Sequence, residues 1–214
     1  LPIQQDNIYM ELRKRIISLD LRPGAVLSER QLIDEFGTSR TPVRESLLKL
    51  EKDGLVQIMP RVGTYVTQVD LRSARHAYEM KKTLEGLAAE LAAQRATEEE
   101  IEELMELAGT FSRLDNFMQY KECIENDRKF HYLTRIASRN PLLINSLNDL
   151  SVITVRFLQY IQYVERDYQW YQDSISAIAR AIRDRDTARA RVDAEQHTAA
   201  FLTKLAQYFF GENE

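Results

Sequence analysis

Arg40, Thr41 and Arg44 open the stretch 39–56 and bring two guanidinium forks and a hydroxyl into little more than one helical turn. Arginines four apart on a helix point the same way. A planar guanidinium fork matches a guanine edge or a phosphate. Behind them Val43, Leu47, Leu48 and Leu50 recur at helical spacing, which predicts a back face buried on a small core. Asp53-Gly54 supplies the glycine that favours a helix C-terminus. A helix divided in this way suits the major groove of DNA, with side chains of its first turn on bases and phosphates. A second pair, Asp127 and His131, is also four apart. A carboxylate and an imidazole on one helix face are ligand types for a divalent metal.

The elements that must position Arg40 and Arg44 are legible around them. Ser28-Glu29-Arg30-Gln31 has the form of a capping box, with Ser28 as N-cap and Gln31 reaching back. Leu32, Ile33 and Phe36 give that helix its apolar face, Gly37 permits a tight turn, and Ser39 or Thr41 caps the next helix. Pro42 falls in the first turn, where its missing N–H costs little. Upstream, Ile8, Leu12, Ile16, Ile17 and Leu19 predict a helix that ends before Arg22-Pro23-Gly24. Downstream, 55–59 and 64–69 read as two short strands joined by a turn at 60–63. Three helices and a two-stranded ribbon make a winged helix-turn-helix over residues 1–70.

From residue 71 glycine and proline nearly vanish; Gly86, Gly109, Pro141 and Gly211 remain. Helices are expected at about 71–95, from Thr97 onward, 116–137, 140–164, 167–183 and from Asp186 to Phe210. Thr97-Glu98-Glu99-Glu100 is a capping box. Six helices suffice for a bundle with its own core over 71–214. The fold class expected is therefore mainly α: a winged helix-turn-helix with a small two-stranded wing, then a helical bundle. Tyr160, Tyr163, Tyr168, Trp170 and Tyr171 read mostly as helix packing.

The formal charge is −4. Through residue 70 the chain holds 10 Lys and Arg against 10 Asp and Glu, so the deficit falls in the second half. A neutral reader with a localised basic turn can bind DNA, because the field depends on distribution. Its weak net attraction favours two copies binding together. The lone Cys123 excludes an internal disulfide and fits a reducing cytoplasm. No run approaches the roughly 20 apolar residues of a membrane span.

Residues 8–69 resemble the DNA-binding domain of the GntR family of bacterial transcription regulators. The resemblance rests on Leu21-Arg22-Pro23-Gly24, Leu27 to Leu32, Ser39-Arg40-Thr41-Pro42-Val43-Arg44-Glu45, Leu50 to Leu55 and Gly63-Thr64-Tyr65-Val66. It implies DNA contacts from Arg30, Ser39, Arg40, Thr41 and Arg44, with Arg61 and Gly63 at a wing tip that approaches the minor groove. The second half is similar to the antiparallel helical effector (FCD) domain of the FadR-type branch. The matching positions are Leu84-Glu85-Gly86, Asp127 to His131, Asn140-Pro141, Arg156, Ala181-Ile182, Asp186 and His197.

That resemblance implies a metal held by Asp127, His131, His197 and one further histidine. Ile175 occupies the expected position of the last, and isoleucine cannot ligate; Asp173 or Gln172 would serve only if the helix were shifted. Two histidines and a carboxylate still suit Zn, Ni, Mn or Fe. Bundle histidines that merely satisfy their own hydrogen bonds are the plainer reading. His76, in a polar stretch, is expected at the surface. The resemblance further implies a small organic-acid effector, with Arg156 as an anchor. The expectation is a cytoplasmic, homodimeric, metabolite-responsive repressor on a pseudo-palindromic double-stranded operator, and not an enzyme. The alternatives are a 2-His-1-carboxylate metal enzyme and a regulator whose bundle only dimerises. No nucleophile motif, phosphate loop or cofactor fingerprint supports an enzyme.

Overall fold

The computed structural model describes residues 2–111, 120–161 and 168–210. The chain divides into two compact units, Leu1–Ser73 with Val152–Tyr163, and Ala74–Ser151 with Val164–Glu214.

The first unit contains α1 (Pro2–Ile17), β1 (Val26–Leu27), α2 (Glu29–Phe36), α3 (Arg40–Lys52), β2 (Val56–Met59) and β3 (Gly63–Val66). Ile8, Leu12 and Ile16 line one face of α1 and are fully buried. Leu32 of α2, Val43, Leu47 and Leu50 of α3, and Leu27, Leu55, Val56 and Val66 complete one core. Leu48 corrects the expectation, since it is 57% exposed. It sits next to Leu47 in sequence, and a helix turns neighbouring residues to different faces.

The ribbon is a three-stranded antiparallel sheet of order β1-β3-β2, where two strands were expected. Val26 pairs with Tyr65 and Leu27 with Thr64, while β2 pairs with β3 from Val56↔Val66 to Met59↔Gly63. A two-residue strand is too short for alternation to announce it. Ser28 Oγ accepts from the Gln31 N–H at 3.4 Å, and Gly37 ends α2 in the left-handed conformation, its N–H on the Ile33 carbonyl.

The second unit is helical: α4 (Leu71–Arg95, entering from the first unit), α5 (Glu98–Phe111), α6 (Tyr120–Ala137), α7 (Pro141–Ile161, whose last turns belong to the first unit), α8 (Tyr168–Arg183) and α9 (Thr187–Phe210). The expected Thr97 box forms: Thr97 Oγ1 accepts from the Glu100 N–H at 3.2 Å, and Glu100 Oε2 accepts from the Thr97 N–H at 3.0 Å. Asp186 accepts from the Arg189 N–H at 3.0 Å and caps α9. The buried face of α4 is made of small residues, among them Gly86, Ala88, Ala89, Ala92 and Ala93. A Cβ at Gly86 would stand 2.5 Å from Glu195 Cγ, so glycine permits α9 to approach. Phe130, Leu104, Ile175, Ile178 and Ile182 fill the core between these helices. No helix among the described residues is long and apolar enough to cross a membrane.

Candidate nucleic-acid interface and buried bundle cluster

The basic turn expected from the sequence lies open on the first unit. Ser39 is the N-cap of α3 in extended conformation, and its side chain makes no capping hydrogen bond. The first N–H groups of α3 therefore sit beside Ser39, Arg40 and Thr41, all exposed, in the arrangement that receives phosphate. The side chains of Arg40 and Arg44 are 71% and 62% exposed. Arg30, in the first turn of α2, is exposed as well.

Sequence reasoning missed Glu29, which it treated only as part of a cap. Its carboxylate accepts from Arg44 Nε at 3.0 Å and lies 3.8 Å from Arg40 Nε. One residue of α2 thus orients both arginines of α3. The signal was an acid at the first position of the unit's second helix, and only the packing of α2 on α3 gives it that role.

The wing turns through Pro60, Arg61 and Val62, with the Val62 N–H on the Met59 carbonyl at 3.1 Å. Arg61 is exposed and left-handed at φ 65°, and Gly63 follows at φ 145°, a value that favours glycine. Arg61 is thereby presented at the tip.

Arg156, expected as an effector anchor in the bundle, belongs to the first unit. It is 6% exposed, and its Nη1 and Nη2 donate to Thr67 Oγ1 at 3.0 Å and the Thr67 carbonyl at 2.9 Å. Its Nε has no hydrogen-bond partner. His76 is exposed, as expected. Cys123 lies on α6 with its side chain outside the described set, as is that of Tyr168; Tyr163 lies outside the described residues.

In the second unit Asp127, His131 and His197 do come together. His131 Nε2 is 3.3 Å from Asp127 Oδ1, and the His131 and His197 rings are 5.5 Å apart. The Tyr171 hydroxyl donates to the same Asp127 oxygen. Ser174 Oγ and His197 Nδ1 are 2.8 Å apart, and the Ser174 hydroxyl also donates to the Tyr171 carbonyl at 2.8 Å. A hydroxyl has one proton. With it on the carbonyl, the His197 Nδ1–H donates to Ser174. Trp170 stacks on the His197 ring at 5.8 Å, and Lys204 Nζ sits 4.9 Å above Trp170.

A buried ion group joins this cluster, and sequence reasoning did not find it. Glu85 of α4 accepts from Arg135 Nη2 of α6 at 2.6 Å and lies 3.4 Å from Lys81 Nζ; its side chain is 3% exposed. His131 Nδ1 lies 3.9 Å from Glu85 Oε2. Burial alone would raise the Glu85 carboxyl, but the charges of Arg135, Lys81 and His131 hold it well below the usual range. Desolvation likewise works to raise Asp127, while His131 and the Tyr171 hydroxyl hold it near 2. Burial, reinforced by His131, pushes His197 down to about 3, so it is neutral at pH 7.

The implied metal set does not close on these residues. Ile175 is fully buried in the apolar core. Asp173, the substitute considered for it, is exposed and accepts from Gln169 Nε2 at 3.0 Å. Among the described residues no three His, Cys, Asp or Glu side chains are grouped to hold a metal ion.

Comparison with known proteins accords with both units. The family model for bacterial regulatory proteins of the gntR family matches residues 4–66, and that for the FCD domain matches residues 76–200. The Bacillus subtilis (strain 168) HTH-type transcriptional regulator YdhC is 36% identical over 148 residues, 67% of this chain and 66% of its own. The Escherichia coli (strain K12) HTH-type transcriptional repressor RspR is 34% identical over 143 residues, 64% of this chain and 60% of its own. The chain thus spans 60–66% of the length of these two relatives. Among solved structures, E. coli McbR/YncC superposes with a TM-score of 0.76 at 22% identity, over 95% of this chain and 98% of that one, a likeness of fold. With a gntR-type reader at one end and an FCD domain at the other, the chain belongs to the GntR family of bacterial regulatory proteins.

Proposed function

We propose that the protein is a DNA-binding transcription regulator: a metabolite-responsive repressor that acts as a homodimer on a pseudo-palindromic operator. The observation that carries this reading is the exposed pair Arg40 and Arg44, aimed by Glu29 from the first turn of a helix whose other face is core. Arg30 and the wing-tip Arg61 flank that pair in the sequence of the motif and add phosphate contacts. Two copies compensate for a reader of zero net charge. The bundle receives the effector, a small organic acid, which acts by binding one arrangement of the dimer more tightly than the other. No enzymatic step belongs to this reading.

The test is a gel shift of the full chain on DNA from upstream of its own and neighbouring genes. A saturable shift is expected, lost in Arg40→Ala/Arg44→Ala and steeply weakened by salt. Each arginine that reads a base should cost about 1–3 kcal/mol on the operator when replaced by alanine. Organic acids that release the shift identify the effector. A folded protein that binds no fragment, with or without such acids, overturns the reading. Binding to a half-site as tight as to the palindrome overturns the dimer.

A further inference from the structure

We propose that the bundle is metal-independent, and that Tyr171 and Ser174 fasten α8 to α6 and α9 through protein hydrogen bonds where an ion would otherwise do so. Four helices meet at this cluster: α4 through Lys81 and Glu85, α6 through Asp127, His131 and Arg135, α8 through Tyr171 and Ser174, and α9 through His197. Asp127 Oδ1, His131 Nε2 and His197 Nδ1, atoms that could ligate an ion, already face internal partners. Asp127 Oδ1 takes the Tyr171 hydroxyl and faces His131 Nε2. His131 Nδ1 faces Glu85. His197 Nδ1 is held by Ser174.

The carboxylates of the group are already engaged, Glu85 by Arg135 and Lys81, Asp127 by Tyr171 and His131. The position that would supply a further ligand carries Ile175, whose side chain fills the apolar core. The chain has thus placed a hydroxyl, Ser174, one residue away and bonded it to His197 directly.

The experiment uses the full chain after dialysis against chelator, then equilibrated with Zn, Ni, Mn or Fe(II) ions and passed through gel filtration. Substoichiometric metal and a thermal transition indifferent to chelator and ions are expected. Tyr171→Phe and Ser174→Ala should each lower that transition by about 2 °C or more, with or without ions, as the loss of one hydrogen bond requires. One ion retained per chain overturns the proposal. So does a transition raised by about 5 °C or more at a hundredfold excess of ion over its Kd and lost in His131→Ala. Failure of both α8 variants to move the transition overturns the fastening role. None of these readouts involves DNA, so they stand or fall separately from the regulator reading.

Discussion

Glu29 shows how one residue can matter for recognition while contributing little to folding. Its pairs with Arg44 and Arg40 are largely exposed, and such pairs contribute about 0–1 kcal/mol. Glu29→Ala should therefore leave the thermal transition nearly unchanged. On DNA two effects separate. Removal of a carboxylate beside phosphates raises affinity for random sequence, whereas two arginines freed from their guide read bases less selectively. The ratio of specific to non-specific affinity should fall, measured by titration on operator and random duplex; an unchanged ratio would remove the orienting role. His197 makes a second prediction at this scale. Its folded value near 3 lies below its ordinary 6.5, so the unfolded chain binds the proton more readily. The stability it contributes is complete above pH 6.5 and is lost as pH falls through the interval toward 3. One proton sets an upper slope of about 1.4 kcal/mol per pH unit. Unfolding measured between pH 6.5 and 4.5, above most carboxylate titration, should show this decline, and His197→Asn should flatten it.

At the scale of elements, the small-residue face of α4 is what lets the bundle close. Gly86 lies where any Cβ meets Glu195, which itself accepts from Arg191 Nε at 3.0 Å. Gly86→Val should displace Glu195, break that pair and cost about 1–3 kcal/mol, the usual cost of overpacking. Denaturant unfolding would measure it, and an unperturbed midpoint would mean that α9 yields freely. Element boundaries were largely legible because local chemistry set them. The Thr97 box, the Asp186 cap and the glycine after α2 are contacts within a few residues. Leu48 and β1 were not legible, because one depends on which side of a crowded apolar run faces the core and the other on pairing with a strand nearly forty residues on. The same division governs the sites. Asp127 and His131 share a helix face and could be placed together, and the resemblance added His197. Glu85 with Arg135, and Tyr171 with Asp127, are separated by 50 and 44 residues. Nothing local marks such pairs, so the hydrogen-bonded cluster emerges only in three dimensions.

For the molecule as a whole, a reader with as many acids as bases and a second half with an excess of acids must bind DNA through a few well-placed cations. Counterion release makes this countable. Each phosphate neutralised contributes about −0.9 to the slope of log K against log salt. Arg30, Arg40, Arg44 and Arg61 give up to four contacts per reader, with one or more spent on bases instead. Two readers on a pseudo-palindrome should then show a slope of about −4 to −5, whereas one reader on a half-site should show about half of that. Fluorescence anisotropy on both duplexes across a salt series measures each slope. A palindrome slope equal to the half-site slope would mean that one reader carries the binding, and the neutral charge of the domain would then need another source of affinity. A doubled slope, together with loss of roughly one unit per reader in Arg30→Ala, would assign Arg30 to phosphate and leave the α3 arginines as the groups that read sequence.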